Sequence, residues 1–390
     1  MTAEFGWSRT VFSGALTIGT ILGGLIAVGT GPFIDRYGPR WALVGAFFIL
    51  GTTLVLLSQI TELWQFYILE ILGRSISMGV IALATSVIIP KWFIAKRGRA
   101  VALGGLGIRA GNTITPLYVQ LLVNMGSWRL AAAATGLVMW TLSLLPAALF
   151  LRRRPEDMGL RPDGRPLEAE TEDGTTPTNK GEIEVPKEEV SLPLAQVARL
   201  SSFYLLTAAF AIASFISTGL NLHVVPYLTD RQLSAEAAVT VVAIWSASGG
   251  IGSLLLGFLA ERYSLRTISS ITFVLIALGY IFLLAVHTPN LGILWGIYQG
   301  VLHGGMNTIQ ILIFANYYGR ESQGAIRGAI QPVQLGANAL GPLTAALVYD
   351  STGSYSSIFV VFAILALFCS LCIFLTRPPA VQIPSQQTSK

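Results

Sequence analysis

Of 390 residues, 53% are hydrophobic and only 12% are charged, where a soluble domain carries about 25% charged residues; the chain lacks the polar material to cover a water-exposed surface and reads as a membrane protein. The formal net charge of +5 does not indicate a nucleic-acid surface, because the basic residues sit in short clusters between apolar stretches, as in a topology signal. Cys369 and Cys372 share one apolar stretch with no second pair of ligands, so a zinc site is not expected and both read as reduced packing residues.

The opening stretch MTAEFGWSRT is polar and has no basic region ahead of its apolar run, so no cleavable signal is expected. A membrane span needs about 20 predominantly apolar residues. That criterion predicts spans at 9–30, 41–60, 64–89, 100–123 and 129–151, then at 201–228, 235–260, 267–286, 291–316, 327–349 and 356–376. Between the two groups lies a segment of different chemistry, because residues 152–197 hold seven Lys/Arg and eleven Asp/Glu, 18 of the 45 charges in the chain. Residues 166–197 read as an acidic, disordered linker, with LPLAQVARL at 192–200 able to form a short amphipathic helix; residues 378–390 read as a tail. The expected domains are therefore an N-terminal bundle over 1–151, a linker over 152–197, a C-terminal bundle over 198–377 and the tail.

Arg36 and Arg40, Lys91, Lys96, Arg97 and Arg99, Arg152 to Arg154, Arg262 and Arg266, Arg320 and Arg327, and Arg377 all fall on one side of these spans. The positive-inside rule makes that side cytosolic and puts the first residue of the chain outside.

GPFIDRYGPR at 31–40 returns as GFLAERYSLR at 257–266, an offset of 226 that also carries Gly98 onto Gly324 and Pro116 onto Pro342. One register held over about 85 residues marks two related bundles joined by the linker, a parallel repeat about an axis along the membrane normal. At this offset span 201–228 has no counterpart, so the N-terminal half is expected to lack its first helix. A start site assigned too far downstream is favoured over an eleven-helix variant.

With those residues in view, the chain resembles the major facilitator superfamily, whose two six-helix halves share the pattern Gly-x-x-x-Asp-Arg-x-Gly-x-Arg, complete here at Gly31, Asp35, Arg36, Gly38 and Arg40 and degenerate at Glu261 and Arg262. KWFIAKRGRAVALGGLGIRAG at 91–111 is similar to the approach to the fifth helix in the monocarboxylate-transporter-like branch, and RRRPEDMGLRPDG at 152–164 to the linker start of bacterial members. The resemblance implies an all-α membrane fold of two pseudo-symmetric bundles, with 11 of an expected 12 helices in this chain. It also implies transport by alternating access. The branch's substrate-binding Arg, near an Asp in the eighth helix, has no equivalent in 235–258, and its first-helix Lys would belong to the segment this chain lacks.

Asp35 and Arg36 are expected just beyond a helix end, where they can pair with neighbouring helix ends in one conformation and release them in another; with Gly31, Gly38, Arg40, Glu261 and Arg262 they are candidate latch residues. The plainer alternative is that these charges hold a loop among lipid headgroups. Gly104, Gly105, Gly107 and Gly111, with Gly249, Gly250 and Gly252, would let helices pack backbone to backbone.

Between the span ends only Glu70, Arg74 and Arg109 carry formal charge. At 1.5 Å per residue, Arg74 and Arg109 lie roughly 15 Å into their spans, where a charge costs at least about 2.5 kcal/mol. Arg109 has no acidic residue within a turn and is the first candidate to bind a carboxylate; Arg74 is its helper and Glu70, four residues before Arg74, neutralises it when the site is empty. His303 falls at mid-span and could exchange a proton or simply pack, so Glu70 and His303 are the proton-coupling candidates. Gln299, Gln334 and Asn338 join the substrate candidates by depth. The expected cargo is a small organic anion, a monocarboxylate, moved with a proton by a monomeric carrier without cofactor. A drug-like or other metabolite cargo, and a non-transporting membrane sensor or inactive truncated carrier, are the alternatives. With no nucleophile-base constellation, metal cluster or phosphate loop, no enzyme activity is expected.

Overall fold

The computed structural model describes residues 2–7, 9–166 and 191–379; most of the linker and the tail lie outside them. Among the described residues eleven long helices dominate. The first group comprises α1 (Arg9–Tyr37), α2 (Pro39–Leu57), α3 (Leu63–Trp92), α4 (Arg97–Met125) and α5 (Trp128–Phe150). The second comprises α6 (Ser201–Asp230), α7 (Ala235–Arg262), α8 (Leu265–Leu284), α9 (Pro289–Tyr318), α10 (Gln323–Thr352) and α11 (Ser356–Leu375). Eight of these are long and apolar enough to cross a membrane on their own. The other three, α4, α9 and α10, are diluted by Gly, Asn and Gln, and each packs through its glycines against another helix.

Two expectations about helix ends need correction. Asp35 and Arg36 lie inside the last turns of α1, and Glu261 and Arg262 inside the last turn of α7, rather than in loops. Apolar composition stops where lipid stops, but the helical backbone continues into the polar phase until a residue breaks it. For α1 that residue is Gly38, at φ 85°, a left-handed conformation that favours glycine. LPLAQVARL forms one turn of helix, Leu194–Val197, and no longer amphipathic element.

Two helices contain π-helical turns, Ser77–Ile81 within α3 and Met139–Leu144 within α5. Such wide turns leave main-chain carbonyls incompletely used. The Met78 carbonyl of the first accepts from Nε2 of Gln331 on α10 at 3.4 Å. A proline does the same inside α10: Pro342 has no N–H to give the Asn338 carbonyl, and Thr218 Oγ1 of α6 donates to that carbonyl at 3.0 Å instead.

The second half holds most of the core. Trp295, Tyr280, Tyr318, Phe210, Phe273, Phe359 and Phe362 are among its fully buried side chains, and α7 lies against α9 so closely that Cβ atoms added at Gly252, Gly300 or Gly304 would overlap the carbonyls of Val301, Trp245 and Gly249. The first half is barer. Of the most apolar window of α5, 11% is buried, against 56% for α8. On α4 every residue from Ala110 to Leu117 is exposed, whereas the equivalent stretch of α10 leans on α6, with the Phe215 carbonyl against Gly341 and His223 Nε2 3.0 Å from the Pro342 carbonyl. The first half has no described helix in the position that α6 holds in the second.

Candidate functional site

The two halves meet along two seams related by the offset of 226. In one, α1 runs against α10; in the other, α7 runs against α4. At the Lys/Arg-rich end each seam closes on a pair of glycines, Gly31 with Gly324 and Gly257 with Gly98, each of which has its partner's carbonyl oxygen where a Cβ would go. Only glycine lets two backbones approach so closely.

Just beyond each pair an acid from the motif caps the partner helix. Asp35 accepts the main-chain N–H of Gly324 at 3.0 Å and of Ala325 at 2.7 Å, and pairs with Lys91 Nζ at 2.8 Å. Glu261 accepts the Arg99 N–H at 2.9 Å and pairs with its Nε at 2.9 Å. A helix start offers unpaired N–H groups and the positive end of its dipole, so a carboxylate is well placed there. The neighbouring Arg36 and Arg262 are exposed, and Arg36 lies 5.2 Å from the Tyr37 ring. Arg40 donates to the Ala148 carbonyl within the first half. Gly38 lies against the side chain of Arg153, whose Nη2 donates to the Asp35 carbonyl at 3.0 Å.

The start of the linker is fastened to the same end. Asp163, itself at φ 64°, accepts the N–H groups of Ala95 at 2.9 Å and Lys96 at 3.0 Å. Glu156 pairs with Arg320, whose Nη1 also donates to the Lys91 carbonyl at 3.2 Å. Ser191, at the far side of the linker, accepts the Arg320 N–H at 3.1 Å. Buried Arg97 reaches across the halves to Asn316 Oδ1 at 2.8 Å. Sequence reading assigned no partner to Lys91, Asp163, Glu156 or Arg320.

Toward mid-depth the seams differ. In the α1–α10 seam Gly24 faces Leu335 and Pro332. In the α4–α7 seam the residue equivalent to Leu335 is Arg109, and it faces Gly249 and Gly250. Arg109 Nη1 donates to the Ser246 carbonyl of α7 at 3.0 Å. It is the last partly covered residue before the exposed stretch of α4. No acidic group pairs with it among the described residues.

The other candidates are dispersed. Arg74 stays within the first half and donates from Nε to Thr20 Oγ1 of α1 at 3.1 Å. Glu70 forms no ion pair with it among the described residues, although the two stand one turn apart. His303 is buried in the second half, its Nδ1 3.2 Å from the Gln299 carbonyl of its own helix and its ring packed on Trp245 and Tyr280. Gln299 is fully buried, with its amide against Gly279 of α8. Gln334 and Asn338 are half-buried on α10. Depth alone ranked these residues together, but depth does not specify which way a helix turns its side chains.

Comparison with known proteins agrees with this architecture. The family model of the Major Facilitator Superfamily matches residues 1–333 and again 224–390. An "MFS-type transporter" of Gibberella moniliformis is 24% identical over 84% of this chain and 73% of its own length. "Monocarboxylate transporter 12" of Mus musculus is 23% identical over 74% of this chain, which spans 61% of that protein. Among solved structures, the Escherichia coli fucose:proton symporter superposes with a TM-score of 0.69 at 12% identity, covering 94% of this chain and 91% of its own. The repeated halves, the glycine-paired seams and these likenesses lead to one conclusion: the chain belongs to the major facilitator superfamily, with relatives in its monocarboxylate-transporter-like branch.

Proposed function

We propose that the protein is a secondary transporter that moves a small organic anion, a monocarboxylate, by alternating access. The observation that carries this reading is Arg109, a guanidinium in the seam between the halves with a main-chain carbonyl as its described partner and no carboxylate. A cation kept at that depth without a fixed counter-charge is stabilised by an anion that comes and goes. The likeness to a protein named monocarboxylate transporter 12 points the same way.

The Lys/Arg-rich end is taken as cytosolic. It is closed by Asp35, Glu261 and their glycine pairs, so this conformation is read as closed to the cytosol. Transport then requires both caps to release. Glu70 and His303 are the groups proposed to take up a co-transported proton, since they are titratable and lie within the spans.

Uptake of labelled pyruvate into vesicles containing the purified protein tests the reading. Arg109→Gln is expected to reduce uptake at low concentration roughly tenfold or more, the cost of a charge-assisted hydrogen bond. Unchanged uptake would instead favour a drug-like or other metabolite cargo, for which the absence of an Arg and Asp in 235–258 already speaks. An imposed pH gradient is expected to drive accumulation, and indifference to it would remove the proton.

A further inference from the structure

We infer that Gly249, with the Ser246 carbonyl, is a positioning element for Arg109: one half of the protein supplies the anion-binding cation and the other holds its guanidinium plane in the orientation that accepts a carboxylate. The inference rests on the reading of Arg109 given above.

A Cβ built at Gly249 would stand 2.6 Å from Nη1, 2.7 Å from Nη2 and 2.8 Å from Cζ of Arg109. Both terminal nitrogens are nearer than Cζ, so the bare glycine meets the Nη1–Nη2 end of the guanidinium, obliquely to its plane, and leaves the Nε–Nη2 edge clear. Gly250 continues the contact along the stem, with its Cβ position 3.8 Å from Arg109 Cδ. The main-chain carbonyl of Ser246, one turn earlier on α7, accepts a hydrogen bond from Nη1 at 3.0 Å and so fixes rotation within the plane. Nε and Nη2 donate to no described group. These two nitrogens form one edge of the guanidinium, the fork that matches the two oxygens of a carboxylate.

The internal repeat supplies the comparison. Positions 246, 249, 250 and 109 correspond to Thr20, Gly23, Gly24 and Leu335. At that equivalent place Gly23 is filled by α3, its Cβ position 2.9 Å from Met78 Cβ, and Gly24 meets Leu335 Cδ1 at an ordinary 3.4 Å. Both seams use glycines for packing, but in only one of them does the facing residue carry a charge. That broken symmetry marks Gly249, whose main chain also packs under Gly304 of α9, as the glycine whose Cβ side faces an arginine.

The specificity consequence is chemical. A guanidinium held in this way favours planar, two-oxygen anions, whereas one free to rotate would also accept ligands with a single acceptor.

Vesicle uptake of labelled pyruvate, with pyruvamide as competitor, tests this. Because the atoms in the way are the far end of a flexible side chain, Gly249→Ala is expected to fold and to displace the guanidinium. It should raise the half-saturating pyruvate concentration roughly tenfold while leaving the maximal rate within about threefold, and narrow the preference for pyruvate over pyruvamide. Gly24→Ala, the equivalent change in the other seam, should shift half-saturation less than about twofold. In an Arg109→Lys background, which removes the plane, Gly249→Ala should again cost less than about twofold. A silent Gly249→Ala, or one that costs as much in the Arg109→Lys background, overturns the positioning role while leaving the anion reading intact. If Arg109→Gln leaves pyruvate uptake unchanged, the anion reading falls and this inference falls with it.

Discussion

Arg99 meets Glu261 twice, once through its main-chain N–H at 2.9 Å and once through its guanidinium Nε at 2.9 Å. Glu261 thereby caps α4 from the other half of the molecule, as Asp35 caps α10 through Gly324 and Ala325. The repeated motif is thus a reciprocal pair of helix caps, each half closing on the other.

Neutralising a cap should open that end. Asp35→Asn keeps the shape but removes the charge, from two main-chain donors and from buried Lys91. Charge-assisted hydrogen bonds contribute about 1.5–3 kcal/mol, so the balance between conformations should shift roughly tenfold or more toward opening at the Lys/Arg-rich end. Thiol labelling of Ala27→Cys, a position buried in the closed seam where its carbonyl meets Gly328, should become faster. Glu261→Gln should act in the same direction, more weakly, because Arg99 is 44% exposed on its side chain and solvent screens the pair.

The glycine pairs make a sharper contrast. A Cβ at Gly31 would overlap the Gly324 carbonyl, a main-chain atom that yields only if the helices separate. Gly31→Ala should therefore disfavour this conformation and lower the thermal midpoint of the purified protein. Gly29→Ala, with nothing within 4 Å of the new atom, should leave both unchanged or stabilise slightly, by up to about 1 kcal/mol from helix propensity.

Asp163 holds the turn ahead of α4 through the N–H groups of Ala95 and Lys96. Asp163→Gly keeps the left-handed backbone but removes the acceptor, and should speed hydrogen exchange at Ala95 and Lys96. Asp163→Asn tolerates the same backbone and retains one acceptor oxygen, so its effect should be smaller. Equal exchange in all three proteins would show that the cap contributes nothing.

Outside the spans, Glu4 accepts from Trp128 Nε1 at 2.6 Å and pairs with Arg129. These two hydrogen bonds, the indole first, hold its carboxyl below the ordinary carboxylate range. A depressed native value means that the contact is fully present above the unfolded-state pKa and is lost as pH falls through the native one. Fluorescence of the protein should therefore stay flat from neutral pH to about pH 5 and change only in stronger acid. Glu4→Gln should remove that acid transition.

Much of the architecture was legible without coordinates. Eleven spans, a repeat at one register and a Lys/Arg-rich end all follow from quantities read along a line: apolar length, residue spacing and charge order. The same reading placed Asp35 and Glu261 beyond helix ends because composition reports where lipid stops, whereas a helix ends only where its backbone is broken, as at Gly38. Glu70 and Arg74, four residues apart on one helix, were expected to pair, but Thr20 of α1 takes the Arg74 Nε instead. Spacing along one helix carries no information about what a second helix offers.

The sequence by itself determined that this protein is a two-fold repeat of apolar helices with three charges inside its predicted spans, because lipid admits few ways to satisfy a backbone and few places for a charge. Tertiary structure alone decided that Arg109 lies on Gly249 and the Ser246 carbonyl, that Gln299 turns into the second half, and that Lys91 meets Asp35. The physical reason is rotation about the helix axis: packing sets it, and a main-chain carbonyl or a bare Cα, the groups that receive Arg109, is present at every glycine in the chain and marked at none.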